Sequence, residues 1–143
     1  MLSALIAAHV TFTTAGYVGL IATNFIVLIL CRSSEPAVVL QAVRAWRGSA
    51  RVFGPLLGIG VLLGLWLAGL THVGLLSLWL VITYALIVLA LGAQAALMIP
   101  WQSRAQNAAA AGKSISTRPI VVVLAVFTIA YLSIILLMLL QPG

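Results

Sequence analysis

The stretch from Arg32 to Arg51 reads RSSEPAVVLQAVRAWRGSAR, and its reading decides the fold. It holds Arg32, Glu35, Arg44, Arg47 and Arg51, while Arg104, Lys113 and Arg118 make a second charged window; between and around the two windows every residue is uncharged or histidine. The chain has 143 residues, 64% of them hydrophobic and 6% charged. Soluble domains carry about 25% charged residues, and a small soluble fold leaves too much surface exposed to hide this much apolar area. The distribution is that of an all-α integral membrane protein.

Working outward from Arg32–Arg51, four apolar stretches are long enough to cross a hydrocarbon core of ~30 Å as helices. They run from about Ala4 to Cys31, Val52 to Thr71, Leu75 to Ile99 and Pro119 to Leu140, within a single domain over 1–143. Pro100 and Pro142 stop the third and fourth, and Pro119 suits a first helical turn. No basic residue precedes the first apolar run, which is too long for the core of a signal peptide, so it reads as a retained span. The short link Thr71–Ser77 makes its flanking spans antiparallel neighbours, and an up-down four-helix bundle follows.

Within the charged window, Ser34 is placed to cap a helix with Pro36 in its first turn. Val38, Val39, Ala42, Val43 and Trp46 recur at helical spacing opposite Gln41, Arg44 and Arg47. This predicts a short amphipathic helix on the membrane surface, with an inward extension of the second span as the alternative. Residues 102–117 are polar and Ala-rich and read as a flexible loop.

Lys and Arg collect on the cytoplasmic side. Both charged windows are therefore expected inside a bacterial inner membrane, with both termini and Thr71–Ser77 on the periplasmic side. Trp79 and Tyr17 fit the outer interface, Trp46 and Trp101 the inner one, and Trp66 and Tyr84 lie deeper. The net charge of +6 is a topological signal for lipid headgroups and not a nucleic-acid footprint.

The same charge map limits chemistry. The chain has no Asp, so neither a Ser/His/Asp arrangement nor a carboxylate pair can form, and no permanently charged residue lies in a span for ion-coupled transport. Cys31 is the lone cysteine and reads as a small residue at a helix end. His9 and His72 remain. At 1.5 Å rise per residue each lies ~32–35 Å from its basic anchor, Arg32 or Arg51, so both are expected at one outer level. Two imidazoles at one level are the arrangement needed for haem or copper ligation, although two histidines supply only half of a tetrahedral zinc site.

Packing signals complete the reading. Asn24 wants a hydrogen-bond partner in lipid, and Gln94 lies at a similar depth on the third span. Gly54 and Gly58, and Gly60 and Gly64, are spaced for close helix approach. That face could meet another span, a second copy or a different subunit, or make room for a flat cofactor.

Gly16 and Gly19 after an N-terminal His, Arg47 and Arg51 leading into GPLLGIGVLLGLWLAG, and LWLVITYALIVLALG ending at Pro100 together resemble the small four-helix bacterial membrane proteins of the DUF2269 type, related in pattern to the membrane domain of CopD-like copper-resistance proteins. The resemblance implies an inner-membrane four-helix protein that handles copper or haem, with His9 and His72 as its ligands. Two functions stand side by side. One is a non-catalytic accessory subunit of a respiratory or photosynthetic electron-transfer complex, packed against lipid and other membrane subunits or a second copy. The other is a small haem b or copper protein using His9 and His72.

Overall fold

The computed structural model describes residues 1–33, 35–72, 74 and 76–140. The described residues form helices joined by short turns: α1 (Leu2–Leu30), α2 (Pro36–Leu70), α3 (Leu78–Ala93), a π-helical turn (Gln94–Met98), α4 (Ile99–Ala110) and α5 (Arg118–Leu139). Among the described residues, four helical rods are long and apolar enough to cross a membrane: α1, α2, α3 continued through α4, and α5.

Helix α2 is one rod of 35 residues, so 36–51 is the first half of a continuous helix and not a separate amphipathic one. The reason is the phase of its buried stripe. Val39, Ala42, Val43, Trp46, Leu57, Gly60 and Leu67, with Ala50 and Phe53 partly buried among them, lie on one face at spacings of three, four and seven residues. A stripe that keeps phase belongs to a single helix. Arg44, Arg47 and Arg51 sit off that stripe on exposed faces, where they interrupt nothing. Pro55 lacks an N–H for the carbonyl of Arg51, yet it points outward and the helix runs on, held by α1 across Phe53 and Leu57. Ser34, the expected cap, lies outside the described residues; the N-cap position is Glu35, whose N–H donates to Ser33 Oγ at 3.2 Å.

The third span also runs further than its proline suggests. Pro100 cannot bond the carbonyl of Ala96, and its ring would crowd that turn. The π turn Gln94–Met98 immediately before it widens the ladder, a recognised way for a helix to absorb a misfit. The rod then continues through the Ala-rich α4, where alanine is the best helix former, and buries Trp101, Ala105 and Ala109. Residues 102–110 are thus helix and not loop. Turn geometry begins at Ala111, and Gly112 takes φ 63°, a left-handed conformation suited to glycine.

Helices α1 and α2 form the principal seam and run antiparallel. His9 meets Gly64, Thr13 meets Gly60, Gly16 meets Leu57, Gly19 meets Phe53, and Asn24 meets Trp46. Helix α5 packs on α1 and α3, and α4 packs on the first half of α2. Among the described residues, α2 and α3 do not pack closely on each other. At mid-height Tyr17 is fully buried, edge-on to Phe127 (centroids 5.8 Å) and stacked on Tyr131 (5.2 Å). Such aromatic pairs add about 0.5–1.5 kcal/mol beyond burial. Tyr17, Trp46 and Trp101 are therefore core residues and not interfacial anchors. Trp46 donates to Asn24, and Trp101 Nε1 donates to the Ser116 carbonyl at 3.0 Å, which ties the α4–α5 connection down.

Candidate functional site

At the end of the bundle away from the charged windows, the missing α2–α3 seam leaves an apolar cavity of about 240 Å³. All four rods contribute to its wall, among them His9 and Thr13 from α1, Gly64 and Leu67 from α2, Trp79 and Tyr84 from α3, and Ile134 from α5. A second, smaller cavity of about 210 Å³ lies between α1 and α5, walled by His9, Tyr17, Tyr131 and Met138. His9 borders both.

Two glycines make room for the imidazole. A Cβ on Gly64 would stand 2.7 Å from His9 Cε1, and a Cβ on Gly60 would collide with Thr13. With neither present, His9 lies against the α2 backbone, and its Nδ1 is 2.7 Å from the Gly60 carbonyl oxygen. A carbonyl only accepts, so Nδ1 carries the hydrogen and donates it. In the neutral ring this fixes the tautomer and leaves Nε2 as the acceptor. Nε2 has no partner among the described residues. The Thr13 hydroxyl is 3.5 Å from Nδ1, too far to compete.

Gly64→Ala should break this arrangement at small cost in stability, about 1 kcal/mol, because the ring is a side-chain end that can swing away. Nitrogen-15 NMR of labelled imidazole should show the Nδ1–H tautomer of His9 in the parent and a tautomer mixture in the variant. An unchanged His9 signal would contradict the packing.

His72 does not join His9. It follows the last turn of α2, exposed, with φ 55°, and takes the left-handed position that commonly ends a helix. His9 is level with Gly64, so His72 lies a further ~12 Å along the axis. The expected common level rested on Arg32 and Arg51 being level. They are not: Arg32 lies past the end of α1, whereas Gly19 meets Phe53, which puts Arg51 about 15 Å further into the bundle. Among the described residues no three His, Cys, Asp or Glu side chains come together to hold a metal ion. The 240 Å³ cavity also falls below the roughly 300–1,000 Å³ of pockets for drug-sized ligands, too little for a haem macrocycle. These residues do not fit a two-histidine haem or copper centre.

The other singled-out residues divide clearly. Asn24, fully buried, donates from Nδ2 to Gln94 Oε1 at 3.2 Å and accepts from Trp46 Nε1 at 3.2 Å. This links α1, α2 and the π turn, which aims Gln94 inward. Gly60 and Gly64 face α1, whereas a Cβ on Gly54 or Gly58 would meet nothing within 4 Å. Sequence reasoning missed Gly16 and Gly19 as packing residues and Tyr84 as a cavity residue. The signal for the glycines was present, since Gly16–Gly19 on α1 mirrors Gly60–Gly64 on α2 in an antiparallel register. No protein-family model, no curated protein and no solved structure matches this chain.

Proposed function

We propose that the chain is a non-catalytic accessory subunit of a larger inner-membrane complex, seated in the bilayer as an up-down four-helix bundle. Helix α5, with 22 residues and a length of ~33 Å, matches the hydrocarbon core. Arg118 opens it, and Arg32, Arg44 and Arg104 gather at the same end, as a cytoplasmic face requires. The first half of α2 and all of α4 then form a small inner cap. The Leu2 and Leu139 ends lie on the periplasmic side, near Trp66 and Trp79.

The observation that carries the reading is the bare face of α2. It is the least covered of the four rods. Gly54 and Gly58 have open space over them, beside exposed Ile59, Leu62, Leu65 and Trp66. Outward-facing small residues flanked by large apolar ones suit close approach of a helix from another subunit.

Gly58→Leu should leave the isolated chain folded, since its side chain enters empty space, but should abolish co-purification of partner subunits at fixed stoichiometry from native membranes. Full retention of partners by this variant, or a parent chain that functions as a lone monomer, would refute the proposal.

A further inference from the structure

We propose that the cavity between α2 and α3 is a binding site for a membrane-soluble hydroxyl compound, a phenol or alcohol on an apolar body. The site is distinct from the α2 face discussed above, and it stands whether or not that face meets another subunit. Three observations converge. The first is access. Helices α2 and α3 lack a packed seam, so the cavity can be reached sideways from the hydrocarbon core. Its wall is almost wholly apolar, with Leu67, Leu80, Ile87 and Ile134 among the lining residues.

The second is a pair of polar groups with complementary needs. His9 Nδ1–H is committed to Gly60, which leaves Nε2 a hydrogen-bond acceptor without a partner. The Tyr84 hydroxyl is buried with no hydrogen-bond partner among the described residues. A buried hydroxyl left unmade costs about 1–3 kcal/mol, and such groups are rare enough to require an explanation. One hydroxyl on a ligand answers both: its O–H donates to His9 Nε2, and its oxygen accepts from Tyr84 Oη–H. A carbonyl compound could satisfy Tyr84 alone, and an ether likewise.

The third is size. A volume of about 240 Å³ takes a single ring or short branched body and excludes a macrocycle. The apolar remainder of such a ligand would leave through the α2–α3 gap into lipid. An apolar pocket with a small number of convergent polar groups is the usual form of a small-molecule site.

The experiment uses the full chain in lipid nanodiscs, with 4-nonylphenol and its methyl ether as probes and tryptophan fluorescence as readout, since Trp79 lines the cavity. Leu80→Trp, which fills the cavity, supplies the baseline for simple partition into the bilayer. The phenol is expected to bind saturably to the parent and about tenfold more weakly as its methyl ether, one such factor corresponding to 1.4 kcal/mol. Tyr84→Phe should reduce the affinity of both probes about five- to tenfold, because the phenol oxygen and the ether oxygen each accept from the tyrosine hydroxyl. Leu80→Trp should abolish saturable binding of both probes. Equal affinity of the two probes for the parent overturns the assignment, and so does binding that persists in Leu80→Trp. Should either variant fail to fold, the phenol-to-ether ratio on the parent protein decides alone.

Discussion

Gly16→Leu is expected to be the most damaging single substitution in the chain, with loss of about 3 kcal/mol or more and failure of α1 to dock on α2. A Cβ at Gly16 would stand 2.6 Å from the Leu57 backbone nitrogen and 2.7 Å from its Cα. Those atoms belong to a helix backbone and cannot rotate aside, unlike the His9 ring that faces Gly64. The two helices would have to separate along the whole seam, because the contacts of Thr13 with Gly60 and Gly19 with Phe53 depend on the same spacing. Separation would uncover Tyr17 and Leu20, both buried in the core, and detach the aromatic cluster with Phe127 and Tyr131. Gly58→Ala is the matched control. It adds a Cβ on the same kind of helix, in a position with nothing within 4 Å, and exchanging glycine for alanine inside a helix favours the helix by roughly 0.5–1 kcal/mol. Thermal unfolding in detergent micelles, followed by circular dichroism and gel filtration, should show Gly16→Leu largely misfolded or aggregated and Gly58→Ala unchanged or slightly stabilised. Equal behaviour of the two variants would mean that the α1–α2 seam is wrong.

The contrast between Gly16 and Gly58 also shows what the sequence could and could not convey. Glycines four apart on α2 announce close packing, but spacing alone does not say which pair faces inward. That depends on rotational phase, which is legible in α2 only when the stripe from Val39 to Leu67 is followed through the arginines. Reading the charges as a boundary hid the continuity and moved Trp46 from the core to a membrane interface. The four spans themselves were plain, because a run of some 20 apolar residues has few other solutions. The Asn24–Gln94 pairing could be anticipated from depth, since a buried amide must find a partner. The position of His72 could not be, because depth had to be measured from an anchor whose own level depended on the register of α1 against α2. Pro100 was misleading for a related reason: a proline stops an ideal helix, and the π turn that lets this one continue leaves no mark in composition.

Asn24→Leu is expected to produce the second-largest loss, about 2–4 kcal/mol. The side chain is nearly isosteric, so little packing is lost and the effect isolates the polar links. In the parent, Asn24 satisfies Gln94 Oε1 and Trp46 Nε1 at once. Removing it leaves both without their partner inside the bundle, each at about 1–3 kcal/mol. The Gln94 Nε2 group already lacks a partner among the described residues, so the amide would lose its remaining link to the core. Single hydrogen bonds between membrane helices are usually worth only ~0.6–1.7 kcal/mol, because the unfolded helices find alternatives in the bilayer. A node joining three elements should exceed that range, since no one alternative serves both neighbours. The signature is non-additivity. Adding Gln94→Leu to Asn24→Leu should recover about 1 kcal/mol, because one orphaned amide is removed, while Trp46 Nε1 stays unpaired. Unfolding free energies from denaturant titration in mixed micelles, taken around the double-mutant cycle, measure this directly. Near-ultraviolet circular dichroism should register the freed Trp46 indole in both variants. Strict additivity of the two substitutions would show that the amides act independently and that the π turn aims Gln94 at nothing in particular.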